Sequence, residues 1–100
     1  MVVTVTRSVL EPHQRELVDR FLREFLPRLK RDLPGMLDGF HFDNAATGES
    51  TTLILWRDDD ARTDYRNGEL IKEAMAMEQK LGITSSRDAY PISISTKEES

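Results

Sequence analysis

His41, Trp56, Arg57 and Tyr65 are the side chains of this sequence best suited to bind or activate a small organic molecule. An imidazole titrates near neutrality and can take or give a proton. An indole offers a flat, apolar wall with one donor. A guanidinium or phenol at the mouth of such a site can hold an oxygen atom of the ligand. Thr4 and Thr6 add hydroxyls at alternate positions, a spacing that puts both on one face of a strand.

Other reactive-looking groups have simpler explanations. Asp58, Asp59, Asp60 and Asp64 lack the spaced-ligand pattern of a calcium loop, and consecutive carboxylates at a helix start favour its positive dipole end. No metal site is expected. His13 falls in a first helical turn, where it is expected to be exposed. Ser85, Ser86, Ser93 and Ser95 have no nucleophile-elbow context. There are no cysteines, hence no disulfide and no thiolate chemistry.

The elements that must position these groups follow from periodicity. Residues 2–9 alternate β-branched side chains and read as a strand. Glu11-Pro12 opens a helix whose inner stripe is Leu17, Val18, Phe21, Leu22, Phe25, Leu26, Leu29 and Leu33. Pro27 is expected to kink it or end its regular part early. Arg28, Lys30 and Arg31 complement the dipole at its end. Leu33-Pro34-Gly35 stops it, and residues 36–43 and 51–56 read as two strands joined by the turn Asn44-Ala45-Ala46-Thr47-Gly48. The acidic run starts a second helical stretch to about Leu81, with Leu70, Ile71, Ala74, Met75 and Leu81 inward, interrupted at Asn67-Gly68 and stopped by Gly82. Residues 89–96 read as the last strand, and 97–100 as a polar tail.

The order β-α-β-β-α-β is the ferredoxin-like pattern, an α+β fold with a four-stranded antiparallel sheet and two helices on one face. Its usual order puts the second and fourth strands at the edges, where Pro91 is tolerated. One hundred residues fit a single domain, here residues 1–96. Alternation separates two sheet faces. Val3, Val5, Phe40, Phe42, Leu53, Leu55, Ile92 and Ile94 form an apolar set, expected to pack under the helices. Thr4, Thr6, His41, Ile54, Trp56, Ser93 and Ser95 form a mixed set, expected to be uncovered and to meet a second copy, enclosing a shared pocket.

A net charge of −4 argues against nucleic acid as a partner. No stretch reaches membrane-spanning length, and the start of the chain lacks the basic and apolar pattern of a signal peptide. With no cysteine in so small a domain, a reducing, cytoplasmic compartment is expected, and the uncovered sheet face makes a homodimer the expected state.

Leu33-Pro34-Gly35 and Leu55-Trp56-Arg57-Asp58, followed by Ala61, Tyr65 and Leu70-Ile71-Lys72-Glu73-Ala74, resemble the antibiotic-biosynthesis-monooxygenase group of the dimeric α/β-barrel superfamily. The likeness spans nearly the whole chain. Arg57 stands where that family usually has glutamate and Asp58 where it has serine; Asp58, like serine, can cap a helix start. The haem-degrading members use an asparagine, the tryptophan and a histidine at positions matching Thr6, Trp56 and Met75. Two of the three differ, so the resemblance does not imply haem degradation. It implies an oxygenase that needs neither metal nor flavin, acting on a small aromatic or polyketide-like substrate. His41 would then be the base, and Trp56, Tyr65, Arg57, Thr6 and Thr4 the substrate-binding groups. The alternatives are a non-catalytic binding module for a small apolar or aromatic ligand, and a structural dimer filled by its own side chains.

Overall fold

The structure, a computed structural model, describes residues 1–96; the tail assigned to residues 97–100 lies outside them. The elements are β1 (Val2–Val9), α1 (Pro12–Asp32), β2 (Met36–Asn44), β3 (Glu49–Trp56), α2 (Asp59–Arg66), α3 (Leu70–Leu81) and β4 (Ser85–Pro91). All strand pairs are antiparallel, in the order β2-β3-β1-β4. This is the ferredoxin-like arrangement with β2 and β4 at the edges.

Local chemistry accounts for the element ends. Glu11 and Gln14 form a reciprocal capping box at the start of α1, with Pro12 in the first helical position. The helix runs on past Pro27 to Asp32 rather than ending early. The Asp58 carboxylate accepts from Ala61 N–H at 2.9 Å and caps α2. Asn67-Gly68 separates α2 from α3, and Gly82 ends α3 in the left-handed region (φ 69°).

Two expectations are corrected. The last strand covers residues 85–91, not 89–96. It pairs with β1 from Ser8↔Ser85 to Val2↔Pro91, and the final ladder bond runs from Ile92 N–H to Met1 O. Ser93, Ile94 and Ser95 lie beyond this ladder and outside the strand. Ile94 is exposed.

The second correction concerns the faces. Paired positions show that Val2, Thr4, Thr6 and Ser8 share a face with Ser50, Thr52, Ile54 and Trp56, and with Met36, Gly39 and His41. That mixed face is the one under the helices. Val2, Met36, Ile54 and Trp56 join Val18, Leu22, Phe25, Leu29 and Ala74 in one core. The apolar face is the outer one: Phe40 and Phe42 on edge strand β2 are 55% and 53% exposed, and Val9 of β1 and Tyr90 of the opposite edge strand β4 are exposed on the same face.

Candidate functional site

The mixed face carries a gradient, readable row by row across the sheet. At one end Met36, Trp56 and Val2 lie side by side, followed by Gly39, Ile54, Thr4 and Ala89. Next come His41, Thr52, Thr6 and Arg87, then Asp43, Ser50, Ser8 and Ser85. The apolar end packs tightly against the helices. Over the polar end the helices stand off and leave a cavity of about 700 Å³. Its roof comes from Val18, Leu22, Phe25 and Leu26 of α1 and Ile71, Ala74, Met75 and Met77 of α3. Its floor includes Thr4, Thr6, Ser8, His41, Ser50, Thr52 and Ile54. A ligand inside would meet an apolar ceiling and a hydroxyl-lined floor. The volume falls within the range of roughly 300–1,000 Å³ usual for small-molecule sites.

His41 is held at both nitrogens. Nδ1 lies 2.8 Å from Thr52 Oγ1, and Nε2 lies 3.2 Å from Ser50 Oγ and 3.4 Å from Asp43 Oδ1. An ionised carboxylate only accepts, so the tautomer that suits Asp43 carries the ring hydrogen on Nε2, whereas the hydroxyls of Ser50 and Thr52 are compatible with either tautomer. In that tautomer Nδ1 accepts from the Thr52 hydroxyl.

Trp56 is fully buried, and it does not line the cavity. Its Nε1 donates to Thr4 Oγ1 at 3.2 Å, and its ring stacks on Tyr65 at 5.1 Å between centroids. Tyr65 does line the cavity, and burial pushes its phenol up to about 12, so it stays a neutral donor at ordinary pH. Trp56 therefore supports Tyr65 and Thr4 from behind. Arg57 is turned outward and paired with Asp58 at 3.0 Å, away from the cavity.

At the β4 end the floor holds a second polar cluster. Arg87 donates to Glu78 Oε1 at 2.7 Å, Ser85 donates to Glu78 Oε2 at 2.5 Å, and Ser85 meets Ser8 at 2.9 Å. Arg62 of α2 also reaches the cavity while paired with Asp59 at 2.7 Å.

The structure thus brings His41, Thr4, Thr6 and Tyr65 around one space and sets Trp56 and Arg57 outside it. Thr52, Ser50 and Ser8 were missed by sequence reasoning, although the alternation through Ile54 and Thr6 reaches all three. Ser85, Arg87 and Glu78 required the true position of β4. Among the described residues no group of three or more His, Asp or Glu side chains is placed to hold a metal ion. Among them, too, no helix is long and apolar enough to cross a membrane.

No family model matches this sequence, and no curated protein does. Solved structures do match in shape. One from Deinococcus radiodurans, described as a "putative antibiotic biosynthesis monooxygenase", superposes with a TM-score of 0.83 at 14% identity over 95% of each chain. SnoaB from Streptomyces nogalater, described as a cofactor-independent oxygenase, gives 0.72 at 17% identity over 95% of each chain. NE2512 from Nitrosomonas europaea, described as of unknown function, gives 0.77 at 18% identity over 95% of this chain and 91% of that one. The chain has the fold of antibiotic-biosynthesis-monooxygenase-like proteins, as the residues around Trp56 implied.

Proposed function

We propose that this chain is an oxygenase of the cofactor-independent kind, acting on a small hydroxylated aromatic or polyketide-like molecule held between the sheet and the helices. The observation that carries the reading is the cavity of about 700 Å³, with an apolar roof and a floor of hydroxyls and one imidazole. Oxygenation without a metal or flavin requires a substrate anion electron-rich enough to reduce dioxygen itself. A proton acceptor and polar groups beside the ligand favour such an anion. The shared fold with SnoaB, a cofactor-independent oxygenase by description, supports the same reading by analogy. Oxygen consumption with anthrone as substrate tests it: uptake should exceed the buffer background and fall when His41 is replaced by Gln.

A second reading, a non-catalytic binder of a small aromatic ligand, is favoured by one feature. Both His41 nitrogens are already satisfied within the protein. Trp56 fluorescence that responds to ligands, with no oxygen uptake, would select it.

The proposal includes a homodimer, moved to the other side of the sheet. The pocket lies within one chain, and the surface offered to a second copy is the outer face with Phe40, Phe42, Leu53, Leu55 and Tyr90. No helix of the described chain covers this face, and a two-fold axis would bury one self-complementary patch.

A further inference from the structure

We infer that the proton acceptor a bound ligand meets is the Thr52 hydroxyl, with His41 and Asp43 behind it as a relay. The inference deepens the proposed function and rests on its placement of the ligand. With the ring hydrogen on Nε2, towards Asp43, the imidazole has one lone pair, on Nδ1, and Thr52 Oγ1 lies 2.8 Å from it. A ligand hydroxyl therefore has no free basic nitrogen to approach. Thr52 has spent its own proton on His41, so its remaining lone pairs are acceptors at the cavity floor.

The transfer balances without any further reagent. The ligand O–H bond breaks and its proton forms a new O–H bond at Thr52 Oγ1. In the same movement the former Thr52 proton passes to His41 Nδ1. The products are a ligand oxyanion and an imidazolium. The Asp43 carboxylate, 3.4 Å from Nε2, stabilises that imidazolium. His41 is on these grounds a positioning and proton-storing residue, and Thr52 is the group that touches the ligand. The other charged groups reaching the cavity are Arg62 and Arg66 from α2, Glu78 from α3, and Arg87 and Asp88 from β4. Arg62 and the Glu78–Arg87 couple are already ion-paired, so the positive partners open to a nascent oxyanion are Arg66 and the newly charged His41, of which His41 is the one joined to Thr52.

The test uses 1,8-dihydroxyanthraquinone, whose colour reports ionisation of its hydroxyl, bound to the full chain and titrated with pH without any turnover. With the native protein the bound dye should ionise at least one pH unit lower than free dye, about tenfold in the ionisation constant. Thr52→Val, which keeps the β-branched shape, and His41→Gln should each abolish that shift, while Thr52→Ser restores it. A shift that survives in Thr52→Val but is lost in His41→Gln would mean direct contact with His41 and overturn the relay. A dye that does not bind, or binds with no shift in the native protein, would overturn it too. Absent oxygen uptake beside an intact, Thr52-dependent shift would remove the oxygenase reading and leave the relay standing.

Discussion

The rings of Trp56 and Tyr65 stack at 5.1 Å with an interplanar angle of 29°, joining the end of β3 to the last turn of α2. The phenol is buried enough to be pushed up to about 12 from an ordinary value of 10.0. Below pH 10 folded and unfolded chains both keep it protonated, and it contributes nothing to the pH dependence. Between pH 10 and 12 the unfolded chain ionises first, so folding stability is lost as pH rises, by about 2 to 3 kcal/mol in total. Urea unfolding at pH 9 and pH 11.5 should therefore show a smaller alkaline loss in Tyr65→Phe than in the native chain. Equal losses would mean that the phenol is not buried.

Gly35 explains the Leu33-Pro34-Gly35 motif structurally. A Cβ there would collide with the Cβ of Ala61 in α2, and Gly35 O accepts from Arg57 N–H at 2.8 Å. Gly35→Ala should cost about 1 to 3 kcal/mol by forcing α2 away from the sheet. Ala61→Gly in the same chain should recover much of it. Chemical denaturation of the two single variants and the double variant checks the coupling.

Asp58 caps α2 through Ala61 N–H, and that hydrogen bond, with the Arg57 guanidinium beside it, holds its carboxyl below the ordinary range. A depressed carboxyl stabilises the fold above the ordinary carboxylate range, and that contribution is lost as the pH falls through the lowered value. Melting temperatures at pH 7 should rank native above Asp58→Asn above Asp58→Ala, because asparagine still caps. The gap between native and Asp58→Ala should close in strong acid.

The outer sheet face supplies a test of association. Replacing Phe40 and Phe42 together by Glu puts four like charges across any two-fold contact made by that face. Light scattering should give the native chain twice its 11.5 kDa mass and the double variant a single one. A native monomer at micromolar concentration would remove the homodimer.

The order of elements was legible because strand and helix periods differ, and because Pro12, Gly35, Asn67-Gly68 and Gly82 punctuate them. Alternation also sorted the sheet residues into two sets that the register bears out for β1, β2 and β3. It did not say which set lies under the helices. The usual inference, that the more apolar face is the inner one, fails here for two reasons. The helices bring their own apolar roof through Leu22, Phe25, Ile71 and Ala74, and the polar middle of the floor borders a cavity instead of packing against them. The clue was Trp56 with Ile54: a large indole on the mixed face needs cover, and α2 supplies it. The last strand was misplaced because Tyr90, Ile92 and Ile94 alternate well, whereas Arg87 and Asp88 disguise the true one. Its position is set by its pairing with β1, from Ser8↔Ser85 to Val2↔Pro91, a tertiary fact that local sequence does not hold.

The central claim is that a substrate is oxygenated inside one chain, beneath Ala74 and above Thr52. Oxygen uptake with anthrone, measured for the native protein and for Ala74→Trp, tests it most directly. The indole should fill the cavity, and circular dichroism should show the fold retained. The expected result is uptake well above background for the native chain and at background for Ala74→Trp. Equal uptake by the two proteins, or none above background in the native chain, would contradict the claim.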